Sequence, residues 1–391
     1  MRMRSVSAML IPCLFGAILL PGQQKRSQPG DPLSPLPQAQ VNLFRAGQEE
    51  FTAVRDPIDG LGPAYNGTSC AACHDLPAAG GGGIISVTRA GRRNEDGSFT
   101  ALLGGTLFQL FSIPKHTCQA QIPMEANVIA HRISIPLFGI GLIEAIPDET
   151  LLALEDPEDR DQDGIRGRAA RIVDAATGQP RIGRFGWKAQ HATLLSFSAD
   201  AFRNEMGITN DIFPEEAVLG VAAEDLKLCD TVPDPEDVKD RRTGLRGIDR
   251  LAAFLRYLAP VERLPLDDTA ARGESIFKSV GCARCHVPAL TTGPSSDPAL
   301  DHRTISLYSD LLLHDVGTGD GIPQGDAGPG EFRTPYLWGL RFRRPLLHDG
   351  SAATADEAIR RHAGEASRVV ERYVGMSAEE RAAVVAFLMA I

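Results

Sequence analysis

The chain is poor in aromatic residues, carries no excess of positive charge and lacks any apolar stretch long enough to span a bilayer comfortably. Only 6% of its 391 residues are aromatic, whereas 39 Gly and 27 Pro favour short helices and irregular loops over one large sheet. Forty Lys and Arg face fifty Asp and Glu, a formal charge of −10. That balance argues against nucleic acid and anionic membrane surfaces as partners and suits a basic electron carrier. The longest apolar run, Ala8 to Leu20, follows Arg2 and Arg4, contains Pro12 and ends at Pro21-Gly22. This is the pattern of an export signal, so residues 1–22 read as a signal peptide and the protein as periplasmic, with no stable membrane insertion of the mature domain. Residues 23–40, rich in Gln, Pro and Ser, read as a disordered tether, a membrane anchor only if the signal stays uncut.

Cysteine is scarce too, and its placement is informative. Of seven, Cys13 lies in the signal and four fall in Cys70-Ala71-Ala72-Cys73-His74 and Cys282-Ala283-Arg284-Cys285-His286. Two thiols at this spacing can add to the two vinyl groups of one haem while the adjacent His reaches its iron. The pattern therefore predicts two covalently bound haems c, with His74 and His286 as proximal ligands. A redox dithiol or half a zinc site would explain the cysteines but not the following His, the duplication and the export signal together. Cys118 and Cys229 remain, and either pair in an oxidising compartment or stay as buried thiols. For the sixth iron ligands, His116, His131, His191, His302, His314, His348 and His362 are chemically able, as are Met124, Met206 and Met376.

A weak repeat brackets the motifs. Gly47 stands four residues before Phe51 ahead of the first, and Gly273 four before Phe277 ahead of the second. Each half also ends in an amphipathic stretch, Leu245–Leu258 and Ala378–Ile391, the latter opened by a capping box of Ser377 and Glu380. The expected fold is mainly α: two cytochrome c-like haem domains in tandem, residues 41–262 and 263–391, joined near Ala259–Pro265. The first is enlarged by loops and β-hairpins, one from Ile84–Thr88 and Phe99–Phe111, another from Ala170–Asp174 and Arg181–Phe185. Asp159, Asp161 and Asp163, followed by Gly164, resemble the first half of a calcium loop, but Ala170 stands where the bidentate Glu belongs. Glu155, Asp156 or Asp174 would have to complete a Ca2+ site, against the alternative of a solvated acidic turn.

Further runs carry a family resemblance. Glu331-Phe332-Arg333-Thr334-Pro335-Tyr336-Leu337 with Pro345-Leu346-Leu347-His348-Asp349-Gly350 resembles bacterial di-haem cytochrome c peroxidases and MauG-type enzymes. Asn66-Gly67-Thr68-Ser69-Cys70, Gly139–Pro147, Gly183–Ala189 and Ser309–Asp315 are similar to the di-haem oxidoreductase branch of that superfamily. The resemblance implies Trp187 between the haems, Glu205 as general acid/base for peroxide, and Phe197 near the position of a distal Gln. It also sets Glu331 where a Met ligand of the second haem is expected. There the carboxylate would either approach iron or pair with Arg333 or another Arg. The implied activity is reduction of hydrogen peroxide with electrons from a small c-type cytochrome or copper protein. The alternatives are electron transfer without turnover and MauG-like oxidation of a partner protein.

Overall fold

A computed structural model describes residues 27–113, 118–229, 236 and 238–391. The signal segment, Cys13 and His116 lie outside the described residues. The principal helices are α1 (Gln38–Thr52), α2 (Leu194–Met206), α3 (Gly247–Tyr257), α4 (Asp268–Val280) and α5 (Ala378–Ala390). The principal strands are β1 (Ser86–Arg93), β2 (Phe99–Thr100), β3 (Leu107–Phe108), β4 (Val128–Ile133), β5 (Ala170–Val173) and β6 (Pro180–Gly183).

The sequence repeat marks two helix crossings. α1 crosses α3, and α4 crosses α5. At the first, a Cβ on Gly47 would collide with the backbone oxygen of Arg250, and at the second one on Gly273 would collide with that of Ala383. Only glycine permits backbones this close. The Phe one turn later seals each crossing: Phe51 meets Phe254 at 4.9 Å between ring centroids, and Phe277 meets Phe387 at 5.3 Å. α5 begins with the expected capping box, Ser377 Oγ accepting from Glu380 N at 3.2 Å and Glu380 Oε2 from Ser377 N at 3.0 Å.

Helix amounts to 32% and strand to 14% of the described residues, so the helical share is lower than a mainly α fold implies. The difference comes from the long insertion in the first half. There β1 pairs antiparallel with β4, from Ser86 opposite Ile133 to Gly91 opposite Val128, and also with β2 and β3. β5 and β6 form the second expected hairpin. The disulfide Cys118–Cys229, with Cα atoms 6.0 Å apart, closes the insertion. The largest apolar core draws on both halves, from Phe44 and Phe254 to Leu311 and Trp338, and a second lies between α4, α5 and the last loops. Residues 27–37, expected within a disordered tether, instead lie along the end of α3, with Leu33 N donating to Tyr257 O at 2.7 Å and Ala259 N to Asp31 O at 3.0 Å. The first of these bonds uses a carbonyl group that a helix end leaves without an intrahelical partner. Among the described residues, no helix is long and apolar enough to cross a membrane.

Candidate functional site

Each Cys-x-x-Cys-His motif winds into one short 3-10 turn. The first is capped by Ser69, whose Oγ accepts from Ala72 N at 3.2 Å, and His74 N donates to Cys70 O at 3.1 Å. In the second, Gly281 adopts φ 109°, and His286 N donates to Cys282 O at 3.0 Å. The turn thus folds each His back over its own cysteines. Both rings are then fixed in the same way: Nδ1 of His74 lies 3.0 Å from Gly81 O and Nδ1 of His286 lies 3.1 Å from Tyr308 O. With Nδ1–H donating, the Nε2 lone pair is left for a metal, an arrangement common to haem-ligating histidines. Burial brings each imidazole down to about 4, so both are neutral, as a ligand must be.

The four motif cysteines are free. Burial pushes Cys70 and Cys282 up to about 12 and Cys73 to about 11, and raises Cys285. A reactive dithiol or a thiolate metal site needs the opposite shift. Beside the second motif lies a mainly apolar cavity of about 190 Å³, bounded by Cys282, Cys285 and His286 and, from other segments, by Trp187, Phe332 and His362. The donor set and the apolar cavity fit a covalently held haem.

Trp187 is buried and its Nε1 donates to Ile133 O at 2.9 Å. One residue on, Ser134 Oγ donates to Cys73 O at 2.7 Å. The indole therefore reaches the second cavity while its hydrogen bond leads into the segment that holds the first motif. Glu205 lies in the last turn of α2, where Asn66 Nδ2 donates to its Oε2 at 2.9 Å and Asn66 N to its backbone oxygen at 2.7 Å. Burial raises this carboxyl above its usual range, opposed by Asn66 and by the charge of Arg89. Its negative charge in turn helps push Cys73 upward, so Glu205 and the first motif share one environment. Phe197 packs 5.9 Å from both the Phe185 and His191 rings and offers no polar group.

Glu331 is held by Arg168, Nε to Oε1 at 2.7 Å and Nη2 to Oε2 at 2.6 Å, and also accepts from Gly328 N at 2.7 Å. Of the two expectations for this residue, ion pairing is realised, with Arg168 and not Arg333. The cavity histidines then divide by their hydrogen bonds. His314 uses both ring nitrogens, on Asp310 at 2.9 Å and Glu365 at 2.8 Å. His348 stacks on Phe332 at 4.2 Å. His362 commits Nδ1 to Ala358 O at 2.7 Å, and its charge is felt by His286. The sequence named His362 as one able residue among many. Only tertiary structure brings it into the cavity of His286.

Carboxylate oxygens of Asp159, Asp161 and Asp163 lie within 4.8 Å of one another. Arg284, inside the second motif, donates to Asp161 at 2.9 Å and lies 2.5 Å from Asp163. The acidic loop thereby docks on the haem motif. The residues that might have completed a calcium shell are engaged elsewhere: Glu155 with Arg171, Asp156 with Arg160, Asp174 with Thr177, Thr193 and Ser196.

Residues 114–391 match the family described as "Di-haem oxidoreductase, putative peroxidase". No curated protein matches. Among solved structures, hydrazine synthase of Kuenenia stuttgartiensis is 16% identical over 97% of this chain and 100% of its own, with a TM-score of 0.40. The diheme peroxidase BthA of Burkholderia thailandensis is 15% identical over 89% and 85%, at 0.42. A MauG-like protein associated with microbial copper homeostasis is 19% identical over 72% and 94%, at 0.32. At these TM-scores the three carry no residue-level argument.

Proposed function

The chain belongs to the di-haem oxidoreductase family, and on that premise we propose that it is an exported enzyme that reduces hydrogen peroxide with electrons from a small redox protein. Its haems are joined covalently at Cys70 and Cys73 and at Cys282 and Cys285, with His74 and His286 as proximal ligands. The bound irons supply the electron chemistry: hydrogen peroxide takes two electrons and two protons and leaves as two waters. The observation that carries the reading is Glu205, a carboxyl raised by burial, oriented by Asn66 and sharing the surroundings of the first motif. A carboxyl that stays protonated at higher pH than usual can donate its proton to the departing oxygen and then take one up again. Trp187 stands between the two haem sites with its ring orientation fixed. His362 would hold the second haem together with His286, and that group, so held, would supply a centre that passes electrons and leaves peroxide chemistry to the first. The acidic chain favours a basic donor, a c-type cytochrome or copper protein.

The test is the ferric spectrum of the haem-loaded protein. It should hold one low-spin bis-His haem, converted to high spin by His362→Ala, and a second haem that reacts with peroxide. Glu205→Gln should leave both spectra unchanged and slow peroxide turnover by about 10²- to 10⁴-fold, the usual weight of a positioned acid/base. Unchanged turnover would remove Glu205 from its role. Phe197, packed where a polar group would position peroxide, favours a second reading, electron transfer without turnover. Two low-spin haems inert to peroxide in every redox state would establish that one instead.

A further inference from the structure

Two guanidinium groups in the wall of the second cavity have no carboxylate to balance them. Arg333 and Arg343 both line it and are 2% and 8% exposed. Arg333 donates to neutral acceptors, Gly186 O and Thr334 O, each at 3.0 Å. The one carboxylate whose charge it feels, Asp310, is paired with His314. Arg343 is more isolated: its buried Nε has no acceptor, and its ionisable neighbours are Tyr336, a phenol that burial keeps neutral, and Arg333, which repels it. Its guanidinium lies 5.1 Å from the Trp187 ring centroid.

Two other buried arginines do have carboxylate partners. Arg132 is paired with Asp320 at 2.7 Å, and Arg184 with Asp148. An uncompensated buried charge is among the most costly features a fold can hold, and two adjacent like charges compound it. Among the described residues no acid answers Arg333 or Arg343. The missing anions must come with whatever fills the cavity.

A haem c carries two carboxylates, its propionates, on the edge away from the vinyl groups. Thioether bonds to Cys282 and Cys285 fix the vinyl edge at the motif, so the propionates face another wall. We propose that Arg343, with Arg333 beside it, binds the propionates of the second haem and turns that edge of the porphyrin toward Trp187. The proposal rests on the second haem site described above and adds its orientation and its electrostatic balance. Guanidinium and carboxylate match in charge and in planar, two-pronged geometry. Backbone contacts support the placement, because Arg333 N donates to Trp187 O at 2.9 Å and so ties the arginine pair to the indole. Neutralising the propionates also favours the reduced iron, since an added electron then meets less negative charge.

The experiment uses the full-length haem-loaded protein. Spectroelectrochemical titration of Arg343→Gln should show the second haem's midpoint potential shifted to more negative values and the first haem's unchanged. Arg343→Lys, which keeps the charge, should restore most of the shift. Equal potentials in wild type and Arg343→Gln at full haem content would overturn the proposal. Should Arg343→Gln yield no holoprotein, a crystal structure of the wild-type holoprotein decides. A propionate oxygen within roughly 3.2 Å of an Arg343 nitrogen supports the seat. Propionates turned to solvent, with Arg343 holding another anion, refute it. Haem counting separates this failure from that of the underlying reading: a protein with one covalent haem lacks the second site altogether, whereas two haems with an unaffected potential reject only the role of Arg343.

Discussion

The two haem units share one helix crossing and one histidine tether but differ in what surrounds them. In the first, Gly47 lets α1 meet α3, and the nearby groups are Glu205, held by Asn66, and Arg89. In the second, Gly273 lets α4 meet α5, and the cavity presents His362 and two unbalanced arginines. A carboxyl whose proton is held by burial suits bond cleavage. A second imidazole and a cationic wall suit holding and passing an electron. The proposed division of labour rests on this difference: the crossings are fixed by a few small and aromatic residues, while the groups around the two motifs come from the insertion in one half and the last loops in the other.

The largest expected effect separates the units outright. Cys282→Ser with Cys285→Ser should remove one of two covalent haems, read as a fall by about half in the haem-to-protein ratio, and should abolish the low-spin signal. Cys70→Ser with Cys73→Ser should cause the same fall but spare the low-spin signal and end the reaction with peroxide. Identical spectra for the two variants would dissolve the division of labour.

The crossings themselves come next. Gly47→Ala and Gly273→Ala each push a methyl group into a facing backbone oxygen, which a rigid helix cannot withdraw. Each should cost about 1–3 kcal/mol, the usual penalty of overpacking, and lower the thermal midpoint. If the units are equivalent as scaffolds, the two losses agree. A much smaller loss at Gly47 would mean that the insertion-rich half yields where the compact half does not.

Features carried by neighbours in sequence were legible in the sequence: both Cys-x-x-Cys-His turns, the Gly-to-Phe spacing of the crossings, the two hairpins and the Ser377 capping box. Each depends on residues a few positions apart or on a local periodicity. What was not legible depends on distant partners. Glu331 finds Arg168, 163 residues away, where the sequence suggested Arg333 equally well. Arg284 enters the Asp159–Asp163 loop, which spacing alone presents as either the first half of a calcium loop or a solvated acidic turn. Residues 27–37 read as tether because Gln, Pro and Ser dominate, yet they lie along the end of α3. His362 comes beside His286 only through the tertiary fold, which sets both in the wall of one cavity.

The last comparison concerns how each unit begins its closing helix. α5 opens on Ser377, a hydroxyl that does not titrate, whereas the start of α3 rests on Glu236, whose Oε1 accepts from Ile248 N at 2.6 Å. Burial pushes Glu236 up to about 8, opposed by the hydrogen bond from Ile248. The same carboxyl titrates near 4.3 in the unfolded chain. Between these values the folded protein holds a proton that the unfolded chain has released. Stability from this group is therefore full below about pH 4.3, declines as pH rises through that window and is lost above about pH 8, at a rate of up to about 1.4 kcal/mol per pH unit. Glu236→Gln keeps an oxygen for Ile248 N but has nothing to ionise. Measured by denaturant titration, it should match the parent near pH 5, exceed its stability near pH 8 and flatten the pH slope. Ser377→Ala should instead cost about 1 kcal/mol at both pH values. An unchanged slope in Glu236→Gln would mean that Glu236 does not couple the first unit's closing helix to pH.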